Sequence, residues 1–125
     1  MEVVDHLTIR VTDFAASRRF YETVLAPLGV ALGWQDERSK IAEWGDFSIV
    51  QDGKPISQHV HVAFTASCPA DVDAFYRAGI EAGYRDNGAP GERPVYHRGY
   101  YGAFLLDPDG NNVEAVFHDR SGQSG

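Results

Sequence analysis

The sequence predicts an α+β chain made of two tandem β-α-β-β-β modules, and three observations carry that expectation. A shift of 55 residues brings His6 onto His61, Ala15 onto Ala70 and Phe20-Tyr21 onto Phe75-Tyr76. Hydrophobic phase stays in register under the same shift, with Leu7 falling on Val62, Ile9 on Phe64 and Leu25 on Ile80. Each copy also opens with an alternating stretch that gives way to helical spacing. Coincidence of apolar phase with a polar position is the mark of a duplicated supersecondary unit. One histidine per copy then points to a site at the axis relating them.

In the first module, about residues 4–51, Val4 to Val11 alternates: Leu7, Ile9 and Val11 face one way, and His6, Thr8 and Arg10 the other. Thr12-Asp13 supplies an N-cap. Phe14, Tyr21, Val24, Leu25 and Leu28 then recur at helical spacing as far as Gly29. Three short strands are expected at Val30 to Gln35, Lys40 to Trp44 and Phe47 to Gln51, divided by polar turns at Asp36 to Ser39 and Gly45-Asp46. Asp52 to Gln58, with Gly53 and Pro55, reads as a linker.

The second module, about 59–117, repeats the order. His59 to Thr65 reads as a strand, and Pro69 suits the first turn of a helix with Val72, Phe75, Tyr76, Gly79 and Ile80 on one stripe. A strand near Tyr84 leads into an expected long loop, Asn87 to Gly99. Tyr100 to Leu106 is apolar, and Asp107-Pro108-Asp109-Gly110 places Pro and Gly as a type I turn requires. The last strand, Asn112 to Phe117, directs Val113, Ala115 and Phe117 inward and leaves Glu114 on the opposite face. Leu7, Ile9, Phe20, Val24, Leu28, Val62, Phe64, Phe75, Ile80 and Phe104 are the expected core, and 119–125 a flexible tail.

Composition narrows the class. The formal charge of −7 argues against nucleic acid or an anionic membrane as partner. No run approaches the ~18 apolar residues of a membrane span, and the N-terminus lacks signal-peptide features. A single cysteine, Cys68, suits a reducing compartment, so a cytoplasmic location is expected.

His6, His61 and Glu114 lie on strand faces turned away from the helices. Either histidine alone reads as an ordinary solvated side chain, but a carboxylate on the inward face of an apolar strand is costly unless partnered. Together they suit one divalent ion: Fe, Mn, Ni or Zn. The segment Arg93-Pro94-Val95-Tyr96-His97-Arg98-Gly99-Tyr100-Tyr101 is the second candidate. His97 is placed as a general acid or base, Tyr101 as a catalytic and substrate-binding phenol, and Arg93 and Tyr96 as substrate contacts. Trp44 is a further candidate for lining the cavity.

The segment Asp5-His6-Leu7, the run His61-Val62-Ala63-Phe64, and Asp107-Pro108-Asp109-Gly110-Asn111-Asn112-Val113-Glu114 resemble the vicinal oxygen chelate superfamily, which includes glyoxalase I, extradiol dioxygenases, fosfomycin-resistance enzymes and bleomycin-resistance proteins. The resemblance spans about residues 4–118 and implies a single domain whose modules form a cupped mixed sheet around a divalent metal. It places the ligands on His6, His61 and Glu114. Glyoxalase I carries a fourth ligand, a glutamate on the last strand of the first module. Ser48 stands at that position here, which leaves coordination room for water and a bidentate substrate. The implied function is a metal-dependent lyase, isomerase or dioxygenase acting on a small substrate with two adjacent oxygens. The alternative is a metal-free sequestering protein whose acidic surface attracts a cationic drug and whose Trp34 and Trp44 stack on it. A homodimer is expected, because half-cups of this kind leave sheet edges that a second chain can cover.

Overall fold

The computed structural model describes residues 3–121. Module one runs β1 (Leu7–Arg10), α1 (Phe14–Leu25), a 3-10 turn (Ala26–Leu28), β2 (Trp34–Asp36), β3 (Ile41–Trp44) and β4 (Phe47–Val50). Module two runs β5 (His61–Thr65), α2 (Pro69–Glu81), β6 (Arg85–Glu92), β7 (Tyr100–Leu106) and β8 (Asn112–His118). Each module forms a four-stranded mixed sheet, ordered β1-β4-β3-β2 and β5-β8-β7-β6. In both, the first strand lies parallel to the last, and the other pairs are antiparallel. Ile9 is paired with Ile49, and Phe64 with Ala115, so the 55-residue equivalence holds in three dimensions. The same register makes Ser48 the counterpart of Glu114.

Local chemistry accounts for the helices. The Asp13 side chain accepts a hydrogen bond from the Ala16 amide at 3.2 Å and caps α1. Helix α1 then buries Phe14, Ser17, Phe20, Tyr21, Val24 and Leu25. Pro69 stands in the first turn of α2, where its missing N–H costs nothing. A Cβ at Gly79 would come within 2.4 Å of Leu105, so that glycine lets α2 press directly onto β7. Ile80, one residue on and turned from that contact, is 39% exposed, contrary to the expected core. Leu7 is equally exposed because it opens an edge strand. No described helix is long and apolar enough to cross a membrane.

The segment expected as one long loop is divided. Its first part continues strand β6 to Glu92, with register shifts around Gly88 and Gly91. Gly88, Pro90 and Gly91 read as breakers in sequence. An edge strand tolerates them, since its outer side has no ladder to complete and bulges are accommodated there. Gly88 is required: its φ is 150°, and a Cβ would meet the Phe104 ring at 2.8 Å. The expected flexible tail falls mostly on residues 122–125, which lie outside the described residues.

The turn between β7 and β8 locks the modules together. The buried Asp107 carboxylate accepts the Tyr21 hydroxyl of α1 at 2.7 Å, the amides of Asp109 and Asn111, both at 2.9 Å, and the Asn111 side-chain amide at 3.2 Å. Asp109 in turn accepts the Thr12 amide, and Asn111 accepts the Val60 amide. Burial, followed by the nearby Asp107 charge, pushes the Tyr21 phenol well above its ordinary pKa, so it remains a donor. Replacing Tyr21 with Phe removes one charge-assisted bond and is expected to cost about 1.5–3 kcal/mol. Asp107→Ala is expected to cost more, because it strands several donors at once. Urea denaturation of the two variants checks the order; a larger loss for Tyr21→Phe contradicts it.

Candidate functional site

Strand parity builds the site. In β8, Asn112, Glu114, Val116 and His118 share one face, while Val113, Ala115 and Phe117 turn to the helices. Glu114 is paired with Ala63 of β5 and Phe104 of β7, so its side chain shares a face with theirs and with His61, Tyr100 and Gly102. Only 1% of Glu114 is exposed. One carboxylate oxygen, Oε1, lies 2.7 Å from His61 Nε2, and the other accepts a hydrogen bond from the Tyr100 hydroxyl. Gly102 makes room beside them, since a Cβ there would stand 3.1 Å from Glu114 Oε2. The His61 side chain is 55% exposed, so the buried acid meets solvent through an open imidazole.

Around this pair stands a ring of aromatic and cationic groups. Phe104 lies 6.3 Å from the His61 ring, and the Arg93 guanidinium sits 5.4 Å above the centre of Phe104. Tyr96, itself exposed, approaches the Tyr100 ring at 4.8 Å. His97 Nδ1 donates to the Arg98 carbonyl at 2.7 Å, which leaves Nε2 to accept from His118 Nδ1 at 2.8 Å when both rings are neutral. The two imidazoles stack at 5.1 Å and abut the Tyr100 ring edge-on. Burial, and then the charges of Arg120 and His97, push the His118 imidazole below its ordinary pKa, against the pull of Glu114.

Not every residue expected at the site reaches it. The structure joins His61 to Glu114 and gathers Arg93, Tyr96 and His97 on the same side. His6 is elsewhere: its side chain is 74% exposed and Nδ1 pairs with Asp5 at 2.8 Å. Among the described residues, no three His, Cys, Asp or Glu side chains converge closely enough to hold a metal ion. A single chain therefore offers two of the three expected ligands together, and the full set does not fit a metal within it. Tyr101 is corrected: strand alternation turns it to the helix face, where its hydroxyl donates to Asp73 at 2.7 Å. Its neighbour Tyr100 takes the place at Glu114. Trp44 is corrected as well, being 2% exposed and lodged against Tyr21 and Phe47. His118 lies outside the expected set: it borders the polar C-terminal tail in sequence, yet it ends β8 on the Glu114 face, where counting by twos from Glu114 reaches it.

Burial, followed by the bond to Glu114 and that residue's charge, raises the Tyr100 phenol above its ordinary 10.0. The folded protein thus keeps this proton at a pH where the unfolded chain releases it. The associated stability is complete below pH 10 and is lost as pH rises through the folded value. Tyr100→Phe is expected to remove one late-titrating phenol from the tyrosinate absorbance curve. It should also lower stability by about 1–3 kcal/mol by leaving a buried carboxylate oxygen without its donor. An unchanged titration curve contradicts the placement.

The arrangement agrees with what the chain is similar to. The structure resembles that of a glyoxalase/bleomycin resistance protein from Albidiferax ferrireducens, with 31% identity over 90% of this chain and 97% of the other, at a TM-score of 0.79. An oxidase, ChaP-H2, matches at 25% identity and a TM-score of 0.61, over 94% of each chain. A glyoxalase/dioxygenase from Nostoc punctiforme shares the fold at 20% identity and a TM-score of 0.67, with 94% of this chain and 91% of that one covered. No functionally curated protein matches the chain. The family model for the glyoxalase/bleomycin resistance protein/dioxygenase superfamily matches residues 3–115, and the chain belongs to that superfamily.

Proposed function

We propose that this protein is a divalent-metal-dependent enzyme acting on a small substrate that presents two adjacent oxygens, and that its site is completed by His6 of a second copy. The observation that carries this reading is Glu114, a buried carboxylate held between His61 and Tyr100 beneath an open face. Burying such a charge costs several kcal/mol, which two hydrogen bonds offset only in part. A cation would complete the balance. When bound it would polarise the two substrate oxygens as a Lewis acid.

The topology supports the second copy. Strands β1 and β5 are both sheet edges, so each half-cup has an open side beside a histidine. Val4, just before β1, is 64% exposed and Leu7, which opens it, 39%; both line a cleft shared with His61 and Phe64 of β5 in the same chain, apolar surface that a second copy would cover further. Ser48 occupies the first-module counterpart of Glu114 and is hydrogen-bonded to Thr8 at 2.7 Å, so module one contributes no second acid. Tyr100 holds the Glu114 carboxylate in place as a neutral donor. His97, stacked on His118 against the Tyr100 ring, is the group we assign to proton transfer, which requires its Nε2 to exchange His118 for the substrate. Drug sequestration is the weaker reading: Trp44 is buried and unable to stack on a ligand, which leaves Trp34 alone, 51% exposed.

Metal content measured by mass spectrometry tests the proposal. His61→Ala, Glu114→Gln and His6→Ala should each lose most bound metal relative to wild type, because the remaining ligands hold a labile ion poorly. Co-refolding His6→Ala with Glu114→Gln should restore about a quarter of the wild-type sites, since hybrid dimers assemble one intact set. Wild-type occupancy in His6→Ala, or no recovery in the mixture, contradicts the shared site.

A further inference from the structure

Arg93 holds a position that the proposed chemistry does not use. Its guanidinium lies over Phe104, the residue paired with Glu114, and therefore on the open face of the sheet. Glu92, one residue earlier, is paired with Tyr101 and belongs to the opposite face. Two backbone carbonyls fix the guanidinium: Nη2 donates to Ala89 at 2.7 Å and Nη1 to Glu92 at 3.3 Å. Its own backbone amide is tied to the Tyr100 carbonyl at 2.8 Å. Among the described residues it forms no ion pair. The cation is half-buried, oriented and uncompensated, in a protein whose net charge is −7.

Each part of that geometry favours an anionic ligand. Arginine carries five N–H donors in a planar fork that matches a carboxylate, and the two donors used here leave the rest available. Contact with the Phe104 face and the carbonyl bonds remove the rotamer freedom that a loose surface arginine would lose on binding. A positive group so placed would repel the cationic drugs that an acidic surface attracts.

We propose that Arg93 is the substrate's carboxylate anchor, and that the enzyme acts on organic acids in which a carboxylate stands apart from the two chelating oxygens. The chelating end of this assignment rests on the proposed function; the acid end rests on Arg93 alone. Phe104, between Arg93 and His61, supplies an apolar surface for the carbon skeleton joining the two ends.

Matched probes test it. Catechol and 4-methylcatechol would be compared with 3,4-dihydroxybenzoate and 3,4-dihydroxyphenylacetate by calorimetric titration into the full chain, loaded with Mn(II) or stripped of it. Wild-type protein should bind at least one acid about tenfold or more tightly than its neutral partner, as one charge-assisted pair allows. Arg93→Gln should erase that preference and leave catechol affinity within about twofold, whereas Arg93→Lys, which keeps the charge, should retain a preference. Equal affinity for acids and neutral catechols in wild type, or a preference that survives in Arg93→Gln, overturns the assignment, as does failure of both acids to bind. If every probe, neutral catechols included, binds as tightly to stripped as to loaded protein while the acids stay preferred, the anchor stands and the metal reading falls. Thermal unfolding of each variant separates loss of the anchor from loss of the fold.

Discussion

The Asp107 carboxylate sets the geometry on which the site depends. It lies at the start of the turn into β8, is 1% exposed and gathers donors from α1 and from its own turn. Charge-assisted bonds to a buried acid contribute about 1.5–3 kcal/mol each, and stranding the acid costs more than any single bond returns. The turn is thereby held in one conformation, and β8 leaves it in one register. A slip of one residue would send Glu114 into the aliphatic layer against α2 and bring Val113 out to the open face. The tie to Tyr21 makes that register a property of both modules.

Glu114 presents the complementary problem. Asp107 is saturated by donors, but Glu114 has one neutral phenol and one imidazole, and the imidazole is half open to solvent. Its desolvation is compensated less completely than that of Asp107 at comparable burial. Structural acids are expected to resemble Asp107. An acid left short of partners, on a face flanked by a fixed arginine and a histidine pair, is poised to receive something else. The proposed metal supplies the missing positive charge, and Arg93 supplies a second point of attachment further along the sheet.

The duplicated plan was legible because it is written in a two-residue period and in a repeated histidine, neither of which depends on distant contacts. The equivalence of Ser48 with Glu114 was visible by alignment, whereas the parallel pairing of β1 with β4 and of β5 with β8 depends on contacts distant in sequence. Three features were hidden. Strand β6 contains glycines and a proline that deny a strand by local propensity, yet it survives as an edge where Gly88 admits the Phe104 ring. The choice between Tyr100 and Tyr101 turns on where β7 begins, and a shift of one residue reverses it. Trp44 and Trp34 differ in burial because Trp44 meets α1 while Trp34 sits on the outer strand, a distinction that only the sheet order reveals.

The central claim is that His61 and Glu114 of one chain and His6 of another hold a single ion. Crystals of the protein loaded with Mn(II) or Zn(II), measured at the absorption edge of that metal, test it most directly. The account predicts one anomalous peak per chain, in contact with His61 Nε2, a Glu114 oxygen and His6 of a neighbouring copy related by a twofold axis. A peak bound instead by His97 and His118, or no peak beside Glu114, contradicts it.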